Sequence, residues 1–244
     1  MRNRAIATLT LPISDKEAQS LRISTGTKFE KNVAYIITDL LNTENIYATS
    51  LKDLKASAKR DRGLNEVLEF AKLPLRSPCK QAYEMILPDT DVIVYYVQKD
   101  HDGNVKKRFH LATISCKVSF HARETQSTFW ALALRDHGSK FVLATEDKFD
   151  ELKTCDMGNK VRRVLESYMD GVYMMKRYEK KENDRTKDIA SFYDIFQKSK
   201  QAGYKRQGSA IFDEGRKMGR YCKQVRPFDD LLFDLMKWKF EFEE

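Results

Sequence analysis

Apolar residues recur along this chain in two rhythms, one helical and one extended. Phe29, Val33, Ile36, Ile37, Leu40 and Leu41 are spaced by three and four residues or their sums, which predicts an amphipathic helix from about Thr27. Val92-Ile93-Val94-Tyr95-Tyr96-Val97 is β-branched and aromatic throughout, as buried strands are. A second apolar run, Phe109 to Ile114, follows across Asp102-Gly103-Asn104. Asp-Gly between two such runs predicts a β-hairpin, because glycine supplies the positive φ that a tight turn needs.

Elsewhere the pattern is read more coarsely. Ala5 to Leu11 suits a short strand, and Asn42 to Ser50 reads as a connection. Leu51 to Ala71 reads as two short helices broken at Arg62-Gly63, and Leu73 to Lys80, with its two prolines, as a loop. Gln81 to Leu87 carries no clear period. A helix is expected from Arg123 to Arg135, ended by Gly138, then a buried strand from Lys140 to Thr145. Strand, crossover helix and strand imply a parallel pair. Residues 146–180 read as helical, with Val161, Val164, Leu165, Tyr168, Met169 and Val172 on one face. Pro227 to Phe242 is rich in Phe, Leu and Trp at helical spacing and is expected to dock on the core or on a second subunit. Together these predict one α/β domain over 1–244. It has a core near 25–150 with a central mixed sheet, and a mostly helical recognition or dimerisation part near 151–244.

The hairpin concentrates the chemistry. Folding it about Gly103 pairs positions whose numbers sum to about 206, so Asp91 faces Ser115 and Asp89 faces Lys117. Residues two apart on a strand share a face. Two carboxylates and an ammonium therefore gather at one end of the strands, which is costly unless something uses it. Two hard carboxylate oxygens suit Mg²⁺, which shares its other positions with water and substrate phosphate. A lysine beside them can stabilise charge developing at phosphorus or orient a water. The plain alternatives are a loop capped by Asp89 and Asp91 and an edge-strand lysine at 117.

Pro88-Asp89, a hairpin and then Ser115-Cys116-Lys117 resembles the active-site motif of the PD-(D/E)xK nuclease superfamily. It is most similar to type II restriction endonucleases in which serine replaces the acid of the second half-motif and a helical Glu supplies the missing carboxylate. Ser115 to Gln126 resembles their Ser-Cys-Lys, Thr-Ser, Arg-Glu pattern, interrupted here by His121-Ala122. The resemblance covers roughly residues 25–145. It implies a restriction-endonuclease-like α-β-β-α-β core and Mg²⁺-dependent, sequence-specific cleavage of double-stranded DNA. Asp89 and Asp91 would be metal carboxylates, the principal one left open: the Pro-Asp alignment favours Asp89 and the cross-strand geometry Asp91. Lys117 would contact the scissile phosphate or the water, and Glu124 or Glu30 would complete the acidic set.

Glu30 has two readings. At 100° per residue it shares the azimuth of Ile37 and Leu41, yet Thr27-Lys-Phe-Glu30 is also a capping box. Glu124 suits a helix N-terminus in any case. Ser115, Arg123 and Gln126 are candidate DNA contacts, the last two equally readable as surface residues. Lys205 and Arg206 lie in the glycine-basic stretch Gln201 to Arg220, either a phosphate-approaching loop or a plain surface loop. Lys55, Lys59, Arg60 and Arg62 read as a solvated face or a phosphate contact.

Lys and Arg number 44 against 36 Asp and Glu, a net charge of +8, which favours a polyanionic partner modestly. The four cysteines and four histidines show no zinc spacing. Free thiols without an export signal fit a reducing prokaryotic cytoplasm, and no apolar run is long enough to span a membrane. Cutting both strands of a palindrome would require a homodimer. A repair or recombination nuclease of the same superfamily, or a non-catalytic basic DNA-binding protein, would share much of this pattern.

Overall fold

The computed structural model describes residues 15–76, 83–118, 124–135, 138–147, 152, 160–175 and 225–242. The first helix, α1 (Asp15–Leu41), runs a full three turns further towards the N-terminus than its apolar period predicted. A 3-10 turn, Asn42–Glu44, leads into β1 (Ile46–Ser50), α2 (Leu51–Ala58) and α3 (Arg62–Phe70). A small hairpin, β2 (Leu73–Arg76) and β3 (Tyr83–Ile86), precedes the long hairpin of β4 (Val92–Lys99) and β5 (Val105–Lys117). The described elements then continue with α4 (Glu124–Arg135), β6 (Lys140–Thr145), α5 (Lys160–Tyr168), β7 (Gly171–Met174), β8 (Val225–Pro227) and α6 (Phe228–Phe240).

Six strands form one mixed sheet in the order β1-β4-β5-β6-β7-β8. The β1/β4 and β4/β5 pairs are antiparallel, and β5/β6, β6/β7 and β7/β8 are parallel. The expected order of helix, hairpin, crossover helix and parallel strand is present as α1, β4, β5, α4 and β6. At Gly103 the φ of +84° is the left-handed conformation the Asp-Gly signal called for. The pairing runs Val92 with Ile114, Ile93 with Thr113 and Val94 with Ala112, then slips by one at Tyr95, leaving Leu111 as a bulge.

Two layers of helix cover the sheet. Phe29, Val33, Ile36, Ile37 and Leu40 of α1 pack with Phe228, Leu231, Leu232 and Leu235 of α6 over Val92, Val94, Ala112 and Ile114. On the opposite face Ala131 and Leu134 of α4 and Leu165 of α5 cover Phe141, Leu143 and Val172. Leu54 and Ala58 of α2 and Val67 and Leu68 of α3 cover Ile93. The C-terminal segment thus docks on the core as expected. Tyr173 in β7 donates to Asp234 Oδ2 of α6 at 2.6 Å, and Arg226 of β8 donates to the Tyr173 hydroxyl at 2.7 Å, tying sheet edge to helix.

Several sequence expectations are corrected. Asn42 to Ser50 is not a bare connection, because β1 forms the sheet edge. The break between α2 and α3 falls at Lys59 to Asp61, with Gly63 inside α3 and Asp61 Oδ1 accepting from the Leu64 amide. The proline-bearing segment contains β2, and the unassigned one contains β3. Within 146–180, Val172 and Met174 belong to β7 rather than to a helix, since they pair with Leu143 and Thr145. The strand expected at Ala5 to Leu11 lies outside the described residues. Among those described, no helix is long and apolar enough to cross a membrane.

Candidate active site

At the end of the hairpin distal to Gly103, β4 begins at Val92, and the residues before it are held to β5 by bonds outside the regular ladder. The Asp91 amide donates to the Ile114 carbonyl at 3.1 Å and Thr90 Oγ1 to the same carbonyl at 3.3 Å. These bonds tie the residues just before β4 to the carbonyl of Ile114, three residues before Lys117. The buried Lys117 amine lies 3.3 Å from Asp91 Oδ2 and 3.9 Å from Asp89 Oδ2. Asp91 Oδ2 also accepts from the Cys116 amide at 2.6 Å. Backbone and ammonium together hold one carboxylate, while Asp89, with its side chain 47% exposed, stays open to solvent.

Glu30 of α1 is electrostatically coupled to Asp91, Lys117 and Asp89. Its carboxyl is pushed above the usual Glu range by burial first, then by the charge of Asp91, with Lys117 opposing and Asp89 adding. The same cause dominates at Asp91, where burial raises the carboxyl against the opposing pull of Lys117 and the Cys116 amide. Because α1 begins at Asp15, Thr27 is an interior helical residue and Glu30 cannot be the N3 acid of a capping box. The capping-box reading is thereby excluded, and Glu30 lines a cleft together with Asp91.

Glu30 and Asp91 share a cleft of about 480 Å³ with Thr90, with Leu51, Lys52, Lys55 and Ala56 of α2, and with Lys59 just past the end of that helix. Helix α2 is anchored to the site by its first residue, since the Leu51 amide donates to the Asp91 carbonyl at 2.9 Å. Ser50 caps it, accepting from the Asp53 amide at 3.1 Å and donating to Asp53 Oδ2 at 2.7 Å. Sequence reasoning left Lys52 aside. The signal that could have found it is the spacing 52, 55 and 59, which puts all three amines on one helical face.

The remaining candidates divide plainly. Ser115 is fully buried, and its Oγ finds no hydrogen-bond partner among the described residues. Glu124 is the first residue of α4, on the element that follows the Lys117 strand end. Gln126 is an exposed residue of α4. Arg123, Lys205 and Arg206 lie outside the described residues.

No three Asp, Glu, His or Cys side chains converge as a complete metal cage among the described residues. A Mg²⁺ ion does not need one, since it binds through one or two carboxylates and fills its shell with water and phosphate oxygens. The carboxylate oxygens of Asp89 and Asp91 beside Lys117 suit a hard dication of that kind, and the carboxyls of Asp91 and Glu30, raised first by burial, would be stabilised in charged form by it.

Comparison with known proteins gives a consistent result. The family model described as BsaWI restriction endonuclease type 2 matches residues 66–200. A protein of Methanocaldococcus jannaschii assigned as type II restriction enzyme MjaVIP is 31% identical over 169 residues, spanning 66% of this chain and 69% of that protein. Among solved structures, the BsaWI–DNA pre-specific complex is 15% identical with a TM-score of 0.42, covering 79% of this chain and 67% of that one. The AgeI–DNA specific complex is 18% identical with a TM-score of 0.37, covering 55% of this chain. The chain spans 43% of the AgeI chain's length.

Proposed function

Because the chain belongs to the BsaWI family of type II restriction endonucleases, we propose that it hydrolyses both strands of DNA at a defined sequence, with Mg²⁺ bound at Asp89, Asp91 and Glu30 and with two chains acting together. The observation that carries this reading is the buried Lys117 amine held between Asp91 and Asp89 beside Glu30. A buried ammonium beside carboxylates that would carry a metal is placed to stabilise charge developing on a phosphate bound there.

Each residue then has a task. Asp91, locked by the Cys116 amide and Lys117, is the fixed carboxylate, and the more exposed Asp89 is the adjustable one. Glu30 supplies the acid that Ser115 does not, and Glu124, across the strand end, is the other candidate for that role. The Lys117 ammonium stabilises the charge that builds on the phosphoryl oxygens as the water oxygen bonds to phosphorus and the bond to the leaving sugar oxygen breaks. Bound Mg²⁺ would polarise the phosphoryl group and ease deprotonation of the water. Arg123, Gln126, Lys205 and Arg206 are assigned to the DNA.

Cleavage of plasmid DNA of mixed sequence tests the reading, with wild type and Lys117→Ala, in Mg²⁺ and in EDTA. Discrete fragments are expected with Mg²⁺ alone, and Lys117→Ala is expected to lose at least about a hundredfold in rate, the scale of losing one charge-stabilising donor. Wild-type protein that binds DNA and leaves it uncut under every divalent cation would end the catalytic reading. Smearing in place of discrete fragments would end the sequence-specific one.

A further inference from the structure

We propose that Lys52 and Lys55 of α2 and Lys59 at its C-cap form a track for the sugar–phosphate backbone of the DNA strand on one side of the scissile phosphate. The track rests on the DNA-cleaving reading above and assigns residues to it that lie outside the 66–200 match.

Three observations support it. The lysines line the same cleft as Glu30 and Asp91, so a phosphate at the carboxylates has the amines as its neighbours. All three are exposed, and among the described residues none forms an ion pair with a carboxylate, whereas Lys72, Lys117, Lys140 and Lys239 all do. Lysines placed to neutralise the acidic group would be expected in contact with it, as Lys117 is. Finally, the hydrogen bond from the Leu51 amide to the Asp91 carbonyl fixes the start of α2 against the site, so the stripe keeps a set distance from the carboxylates.

The dimensions suit a nucleic-acid strand. Residues 52 to 59 advance about 10 Å along a helix axis, and one DNA strand carries a phosphate for about every 3.4 Å of duplex rise. Three amines over that length meet two or three consecutive phosphates. Such contacts carry no base information and set affinity and register. Lys52, in the first turn and nearest Asp91, belongs to the phosphate next to the scissile one, and Lys59 to the most distant.

The test is a salt titration of binding to a fluorescent duplex of mixed sequence, in EDTA so that cleavage does not intervene. The triple variant Lys52→Gln, Lys55→Gln, Lys59→Gln is compared with wild type. It is also compared with Lys99→Gln, Lys106→Gln, Lys107→Gln, which removes equal charge at the far end of the hairpin. The α2 variant is expected to flatten the slope of log affinity against log salt by about 2 to 3 and to weaken binding at least about tenfold at 0.1 M salt, since each phosphate contact contributes about 0.9 to the slope. The hairpin variant should keep the wild-type slope, and arginine at the three α2 positions should restore it. Equal flattening in both glutamine variants would reduce the effect to net charge and overturn the track, as would an unchanged slope in the α2 variant. If the triple variant misfolds by circular dichroism, Lys55→Gln alone should flatten the slope by about 0.9, and an unchanged slope there overturns the track equally. Wild type that binds no DNA would overturn the parent reading itself, a result distinct from wild type that binds and cuts while the α2 variant matches it.

Discussion

At the scale of single residues, the site buries carboxylates whose charged forms a cation would stabilise. Glu30 and Asp91 both have raised carboxyls, so in the metal-free protein each binds its proton more tightly folded than unfolded. The sign follows from linkage: that stabilising contribution is present below the ordinary Glu value of 4.5 and is lost as pH rises through the higher folded value. Glu30→Gln should therefore raise the melting temperature in EDTA near neutral pH and converge on wild type in acid, as differential scanning fluorimetry across pH would read. The same variant should lose at least about tenfold in cleavage and most of its thermal stabilisation by Mg²⁺, because a ligand that binds only the folded state stabilises in proportion to its affinity. A variant equal to wild type in both readouts would remove Glu30 from the site. Cleavage itself should fall with decreasing pH from above the ordinary carboxylate range, as protonated Glu30 and Asp91 cease to hold the cation.

At the scale of elements, the legibility of each piece tracks how local its determinants are. Val92 to Val97, Asp102-Gly103 and Phe109 to Ile114 could be paired from sequence because turn and strands lie within a few residues of one another. Counting about Gly103 gave the pairs Val92 with Ile114 and Val94 with Ala112, and so brought Asp91 and Lys117 to the same end of the hairpin. Glu30 was half legible: its azimuth was computable, but the start of its helix was not, and that start decided between the two readings. The β1 segment, Ile-Tyr-Ala-Thr-Ser, gave no signal because its partner β4 lies more than forty residues away. For β7 the apolar spacing of 161–172 fits a helix as well as a strand, and only pairing with β6 separates them. The Lys52 stripe was visible as spacing and unreadable as position. Helix α2 is held by Leu54, which is almost fully buried against Ile93 and its neighbours. Leu54→Ala should cost about 2 to 5 kcal/mol by chemical denaturation. Tyr173→Phe, which removes the hydroxyl shared by Asp234 and Arg226, should cost about 1 to 3 kcal/mol while leaving cleavage intact at temperatures where the protein stays folded.

At the scale of the whole molecule, two antiparallel and three parallel pairings make a sheet whose two faces are closed by different sets of helices, and the carboxylates sit where α1, the β4–β5 hairpin and α2 meet. If two such molecules act on one duplex, sedimentation should give twice the 28.5 kDa of a single chain, and the mapped ends of the fragments should be related by two-fold symmetry. A monomeric mass in the presence of cut substrate, with asymmetric ends, would discard the two-chain arrangement.

The bulge at Leu111 divides the hairpin into two mechanically separate halves. On the near side, Val92 to Val94 keep step with Ala112 to Ile114, next to the point where the Asp91 amide bonds the Ile114 carbonyl. Beyond the bulge the pairing is one residue out of step, and at Lys99 it shifts again. A bulge interrupts the ladder and absorbs an extra residue locally, so a change of length at the tip need not propagate to the carboxylates. The exposed turn from His101 to Asn104 is therefore a natural attachment point, where a peptide tag or dye-binding loop can be grafted and the enzyme followed on single DNA molecules with its cutting end undisturbed.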